Sequence, residues 1–182
     1  MSDRYEIRFS GSGGQGLILA GVIFAEAATI HDNLNAVQSQ SYGPEARGGA
    51  SKSEVIISDK TIDFPKATAI DLQLSLTQEA CTKYYKDVKG TGTLLVDEDF
   101  VKDVPAGTFK VIRLPIIRTA SEEIGKAFVA NIVAIGAIAA ITGQVSYGAV
   151  EKAVLSRVPK GTEDLNKRAL KAGYDLAQAR AN

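Results

Sequence analysis

Cysteine and histidine are almost missing from this chain: its 182 residues include one of each, Cys81 and His31. A lone cysteine excludes an intramolecular disulfide framework. It also excludes an iron–sulfur cluster held by this chain alone, because four thiolates are the usual ligand set. Cys81 sits in Gln78-Glu79-Ala80-Cys81-Thr82-Lys83-Tyr84-Tyr85, a helical pattern in which it reads as a small buried hydrophobe rather than a nucleophile. A lone histidine cannot build a zinc site, which needs several ligands at set spacing. With no G-x-S-x-G elbow in the chain, there is no serine–histidine triad either. His31 follows an apolar helical stretch and reads as a dipole or capping partner at its end. The sequence therefore assigns no catalytic residue and no metal ligand.

Net charge is missing too, since 21 basic and 21 acidic residues cancel. That balance argues against binding to nucleic acid or a membrane surface through bulk charge, and it leaves little self-repulsion to oppose association, including self-association of the isolated chain. The most apolar segment, Ala127 to Ile141, is shorter than the roughly 20 residues that cross a bilayer and contains Asn131. It is expected to be a buried helix. Nothing at the N-terminus has the basic region, apolar core and cleavage site of a signal peptide, so the expected location is the cytoplasm. A hydrophobic content of 45% over 182 residues suffices for one domain with a sizeable core and is too little for two, so residues 1–182 are expected to form a single domain.

What the chain does have is alternation between strand-like and helix-like periods. Strands are expected at Tyr5 to Phe9, Asn35 to Gln38, Ser53 to Ile57, Asp71 to Ser75, Thr93 to Val96 and Phe109 to Leu114, with helices at Gln15 to Ile30 and Gln78 to Lys86. Leu94-Leu95-Val96 and Ile56-Ile57 suit strands buried on both faces, as in a mainly parallel sheet under helices. Ser53 to Ile57 has no helix before it and is expected to run antiparallel at an edge. In the C-terminal third, helices follow one another. Thr119 and Glu122 have capping-box spacing, the small residues of Ala127 to Ile141 admit a close neighbouring backbone, and Gly143 is a stop. Ser146 caps a helix to Arg157, and Thr162 caps a last amphipathic helix. The predicted fold class is α/β: a three-layer α/β/α, Rossmann-like sandwich with a mainly parallel sheet and a helical C-terminal third.

Two glycine-rich segments stand out. The first, Gly11-Ser12-Gly13-Gly14-Gln15-Gly16, runs from the first strand into the first helix, where free amides and the helix dipole favour an anion. The same glycines also suit a tight turn with no ligand. A dinucleotide site places an acid at the end of the second strand, and Asn35-Ala36-Val37-Gln38-Ser39-Gln40 has none; Asp32 precedes the strand. The second segment is Ser41-Tyr42-Gly43-Pro44-Glu45-Ala46-Arg47-Gly48-Gly49-Ala50-Ser51. Arg47, between glycines, reads equally as a fork for a phosphate or for a partner carboxylate. Asn131, a buried amide, reads either as a tie between helix and loop or as a ligand-facing group.

Together with Val129-Ala130-Asn131-Ile132-Val133-Ala134-Ile135-Gly136-Ala137, these segments resemble the gamma subunit of 2-oxoacid:ferredoxin oxidoreductases over nearly the whole chain. Glu45-Ala46-Arg47-Gly48-Gly49 is most similar to the 2-oxoglutarate branch; pyruvate- or branched-chain-specific subunits are the alternatives. The resemblance implies one non-catalytic part of an oxidoreductase complex that turns a 2-oxoacid and coenzyme A into acyl-coenzyme A and carbon dioxide while reducing ferredoxin. It also implies that thiamine diphosphate, magnesium and iron–sulfur clusters lie on partners, namely alpha and beta thiamine-binding subunits and a ferredoxin-like delta subunit. The site residues expected to bind coenzyme A or support a subunit contact are Gly11, Ser12, Gly13, Gly14, Gln15, Gly16, Ser41, Tyr42, Gly43, Arg47, Gly48, Gly49 and Asn131. The rival readings are a free-standing protein binding NAD or flavin, in which Glu45 would reach the ribose, and a subunit that only scaffolds assembly.

Overall fold

The computed structural model describes residues 4–41 and 49–181. Six strands form one sheet: β1 (Tyr5–Ser12), β2 (Asn35–Ser41), β3 (Ala50–Ser58), β4 (Ile70–Ser75), β5 (Val88–Asp97) and β6 (Lys110–Leu114). Their spatial order is β2-β3-β1-β4-β5-β6. β1, β4, β5 and β6 pair parallel, while β3 runs antiparallel to both of its neighbours, so it alone opposes the common direction. The sheet is therefore mostly parallel, as expected. β3 is antiparallel, but it lies one place in from the edge. The expectation of an edge strand fails because β2 continues the ladder, pairing Asn35 with Ser58 through Ser41 with Lys52.

One face of the sheet carries the main core. Ile7 and Phe9 of β1, Val55 and Ile57 of β3, and Leu72 and Leu74 of β4 point towards α1 (Leu17–Glu26), α4 (Ala130–Thr142), α5 (Tyr147–Arg157) and α6 (Glu163–Ala181). These odd and even positions follow from the two-residue strand period. The alternating residues face a thinner layer built on α2 (Gln78–Tyr84), where Cys81 packs with Leu94, Val96 and Val101. Cys81 is thus the buried hydrophobe its sequence context indicates, and burial pushes its thiol pKa up. Leu94, Leu95 and Val96 are all fully buried, as expected of a strand covered on both faces.

That second face is also polar. Arg8, 1% exposed, pairs with Glu54 at 2.6 Å and Asp87 at 2.8 Å, and donates to the Tyr84 carbonyl at 3.1 Å. A buried guanidinium persists only when its donors are matched in this way. The arrangement ties β1, β3 and the end of α2 together. Glu6 does the same for the connection before β4, accepting from the Thr68 and Ala69 amides.

The helix ends follow sequence chemistry in most places. Gly143 closes α4 in the left-handed region at φ 58. Ser146 caps α5 by accepting from the Ala149 amide, and Asp32 in turn accepts from the Ser146 amide at 2.6 Å and hydroxyl at 2.7 Å. Thr162 precedes α6, where its hydroxyl donates to the Pro159 carbonyl and accepts from the Asn166 side chain. The Thr119–Glu122 capping box does not form. A helix begins earlier, at α3 (Ile116–Arg118) behind Pro115, so Thr119 lies inside a continuing π-turn, with its amide bonded to the Pro115 carbonyl. Its hydroxyl is buried without a hydrogen-bond partner. The expected helix from Gln15 to Ile30 starts two residues later, at Leu17, and ends in a π-turn, Ala27–His31.

α4 is buried almost all round and packs on α6 backbone to backbone. A Cβ on Gly136 would collide with the Leu170 carbonyl, and one on Gly173 with the Val133 carbonyl. This is the close approach that the small residues of α4 admit. We expect Gly136→Ala to lower stability by about 2 kcal/mol, as overpacked cores do. Gly148→Ala on α5, where an added Cβ meets nothing within 4 Å, should raise stability by about 0.5 kcal/mol through the helix propensity of alanine. Urea unfolding midpoints of the isolated chain check both; a Gly136→Ala chain as stable as wild type would refute the close-packing argument.

Candidate functional site

β1 and β4 are neighbours whose onward connections diverge. From β1 the chain passes through α1 to β2 on one side, and from β4 through α2 to β5 on the other. The crevice outside the carboxyl ends of two such strands is where open α/β sheets bind ligands. The first glycine segment occupies this position.

Its geometry is tighter than the motif alone indicates. Gly11 and Ser12 belong to β1, opposite Ser51 and Ala50, so the loop proper is Gly13 to Gly16. The Gln15 side chain folds back and accepts from the Ser12 amide at 2.8 Å. A side chain on Gly11 would collide with that Gln15 oxygen, which explains the glycine there. Gly14 (φ 89) and Gly16 (φ 73) occupy the left-handed region, which strongly favours glycine. Gly13 and Gly14 are exposed, and an added Cβ at either meets nothing within 4 Å. Gly16 is the N-cap of α1 and brings no side-chain cap, so the first turn of the helix presents its amides unblocked by side chains.

Asn131 lies against this loop. Its Nδ2 donates to the Gly16 carbonyl at 3.3 Å, and its Oδ1 accepts from the Ile132 amide at 3.0 Å. A Cβ on Gly16 would stand 2.6 Å from that Nδ2. Of the two readings of Asn131, the tie between helix and loop fits this geometry, since both ends of the amide are engaged within the chain. The contact joins the N-termini of α1 and α4; the N-cap residue of α4, Val129, provides no side-chain bond. Two positive helix ends therefore meet at one place.

The described ends of the second glycine segment lie on β2 and at the start of β3, the strand next to β1. Ser41 ends β2, and Gly49 leads into β3, whose first residue, Ala50, pairs with Ser12. Tyr42, Gly43, Glu45, Arg47 and Gly48 lie outside the described residues. Around the start of β3, two residues that motif reading passed over hold the frame: Glu79 accepts from the Ala50 amide at 3.2 Å, and Tyr84 donates to the Ala50 carbonyl at 3.0 Å. Thr77 caps α2 just before them by accepting from the Ala80 amide. That cap was the available sequence signal.

Asp97 was also passed over. It ends β5 at the same border of the sheet, fully buried, and accepts from the Asp99 and Phe100 amides through one oxygen and from Ile117 through the other. A strand-ending aspartate before a turn is the usual source of such an Asx contact. Among the described residues, no group of three His, Cys, Asp or Glu side chains could hold a metal ion. The arrangement can bind and orient an anionic or polar group through backbone amides.

Burial outweighs the three amide donors and raises the Asp97 pKa above the ordinary carboxylate value of about 3.9. A raised folded-state pKa means that the fold binds this proton more tightly than the unfolded chain does. The associated stabilisation is complete below the unfolded value and is lost as pH rises through the folded one. We expect Asp97→Asn to remove this loss, giving a flatter plot of melting temperature against pH above about pH 4. It should also lower stability overall, since an amide nitrogen cannot accept from a backbone N–H. Parallel pH-melting series check this; identical slopes would refute it.

Comparison with known proteins yields consistent matches. The pyruvate ferredoxin/flavodoxin oxidoreductase family matches residues 6–176. The 2-oxoglutarate synthase subunit KorC of Methanocaldococcus jannaschii is 54% identical, over 96% of this chain and 95% of its own. The pyruvate synthase subunit PorC of the same organism is 28% identical, over 93% and 95%. The crystal structure of a keto/oxoacid ferredoxin oxidoreductase gamma subunit from Geobacter sulfurreducens PCA superimposes with a TM-score of 0.91 at 59% identity, covering 97% of both chains. A 2-oxoglutarate:ferredoxin oxidoreductase from Magnetococcus marinus, with 2-oxoglutarate, coenzyme A and succinyl-CoA bound, shares the fold with a TM-score of 0.86 at 22% identity, over 98% of this chain and 32% of that one.

Proposed function

The chain belongs to the pyruvate ferredoxin/flavodoxin oxidoreductase family, and from that premise we propose that it is the gamma subunit of a 2-oxoglutarate:ferredoxin oxidoreductase. The observation that carries the substrate branch is the contrast within one organism: 54% identity to the 2-oxoglutarate synthase subunit against 28% to the pyruvate synthase subunit. The enzyme is an oxidoreductase complex of several subunits that forms succinyl-coenzyme A and carbon dioxide from 2-oxoglutarate and coenzyme A and passes the electrons to ferredoxin.

Within that complex the chain binds and orients rather than reacts. The residues fit a phosphate-bearing ligand: Gly13 and Gly14 leave the approach open, and the amides at the start of α1 are not capped by a side chain. Coenzyme A supplies the thiol that takes up the acyl group. Gly13 to Gly16 would hold its nucleotide end through backbone amides, joined by Ser41 and Gly49, with Asn131 holding Gly16 in place. Arg47, with Tyr42, Gly43 and Gly48, would complete the site from the second segment. Thiamine diphosphate, magnesium and iron–sulfur clusters belong on alpha, beta and delta partner subunits, because this chain has one cysteine and no acidic cluster among its described residues. The complex works in the cytoplasm, and residues 1–182 act as one domain in it.

A free-standing NAD or flavin protein is the weaker reading. β2 ends in Gln38-Ser39-Gln40-Ser41, without the acid that holds a ribose, and Asp32 is committed to capping α5. A purely scaffolding subunit uses the same loops without a ligand.

Two measurements test the proposal. The native chain should copurify with a thiamine-dependent subunit, and the assembled enzyme should show kcat/KM for 2-oxoglutarate at least about tenfold above pyruvate, a difference of ~1.4 kcal/mol in transition-state binding. A preference for pyruvate would move the chain to another branch of the family. Gly14→Val tests the loop. A Cβ there meets nothing within 4 Å, but φ 89 strains valine by about 1–2 kcal/mol, and its branch projects into the open approach. The variant should give a wild-type circular dichroism spectrum and lose at least about tenfold in coenzyme A-dependent turnover. Unchanged turnover would reduce the loop to a turn.

A further inference from the structure

Away from the glycine loops, the sheet has an open border. Among the described residues β6 is last in the strand order and pairs only with β5, so its outer edge leaves backbone donors and acceptors available to another strand. A groove of about 480 Å³ runs along it, between β6 and the C-terminal ends of α4 and α6. Its floor is apolar, formed by Ile112, Ala140, Ile141 and Ala177, while Val111 on the strand is 40% exposed. Every charged residue that lines it is basic: Lys110, Arg113 and Arg180. Arg180 is shared with Glu98 at 3.2 Å and Arg113 donates to the Val101 carbonyl, but Lys110 is exposed and makes no ion pair among the described residues.

We infer that this edge receives an extended, acid-bearing segment of a partner subunit, added as a strand beside β6. The inference rests on the reading of this chain as one subunit of a larger complex. Backbone pairing supplies the register, alternate apolar side chains enter the groove, and a carboxylate meets Lys110 across the strands. A second copy of this chain is the poorer occupant at this edge. β6 reads Lys-Val-Ile-Arg-Leu, with two cations and no anion, so self-pairing brings like charges to one border. Lysine on an edge also discourages indiscriminate strand pairing, which leaves a complementary acidic strand as the permitted partner.

The experiment uses the purified complex and the isolated chain side by side. On assembly, the amides of residues 110–114 should exchange with deuterium at least about tenfold more slowly. A zero-length carbodiimide cross-link should join Lys110 to an Asp or Glu of a different subunit. Lys110→Glu should weaken assembly at least about tenfold, and Lys110→Arg should restore it. Unchanged exchange, a cross-link to a second copy, or wild-type assembly by Lys110→Glu would each overturn the inference. The two readings fail separately: a thiamine-dependent subunit that binds while β6 still exchanges freely sinks the edge proposal alone. Protection of β6 by a subunit of some other enzyme would sink the proposed function and leave the edge proposal standing.

Discussion

The contact between α4 and α6 sets the position of much else in the molecule. Two glycines face two backbone carbonyls across it, Gly136 to Leu170 and Gly173 to Val133, so the helices approach more closely than side chains would permit. Held in that way, α4 has no exposed face along most of its length and acts as a rigid post inside the main core. Its N-terminus then has one place to go, against the end of β1. Asn131 stands there because α4 does, and Gly16 must be a glycine because Asn131 leaves no room for a Cβ. The loop that begins α1 is thus shaped by packing about one to two turns along another helix.

The same packing explains why the candidate site is made of backbone. The main-core face is filled with helices and apolar side chains, and the second face with ion pairs around Arg8 and with the short helix α2. Polar side chains near this border of the sheet are already committed: Asp97 to three amides, and Glu79 and Tyr84 to Ala50. Among the described residues, what remains at the crevice between β1 and β4 is largely amide and glycine. Such a surface is suited to holding an anion or meeting another chain, and a multi-subunit enzyme can place its reactive cofactors elsewhere.

Much of the fold was legible because it follows local rules. The continuously apolar strand at Leu94-Leu95-Val96, the cap at Ser146 and the glycine stop at Gly143 each depend on a few neighbouring residues, and each formed where expected. The misreadings involve competition between neighbours. Thr119 has the spacing of a capping box, but Pro115 starts the helix one turn earlier. Ser53 to Ile57 looked like an edge strand because nothing local shows that β2 pairs outside it. Asp97 carried only a faint signal, since the amide of Ile117 comes to it from beyond β6.

The sequence by itself determined the alternation of strands and helices, the small-residue helix that admits a close neighbour, the two glycine segments and the single cysteine, too few for a cluster. These are properties of composition and short-range spacing. Only the tertiary structure decided that the first glycine segment sits at the crevice between β1 and β4, that Asn131 bonds Gly16, and that β6 is left as a basic edge. Each of these joins residues far apart in the chain, and their meeting depends on strand order and helix packing that no local pattern encodes.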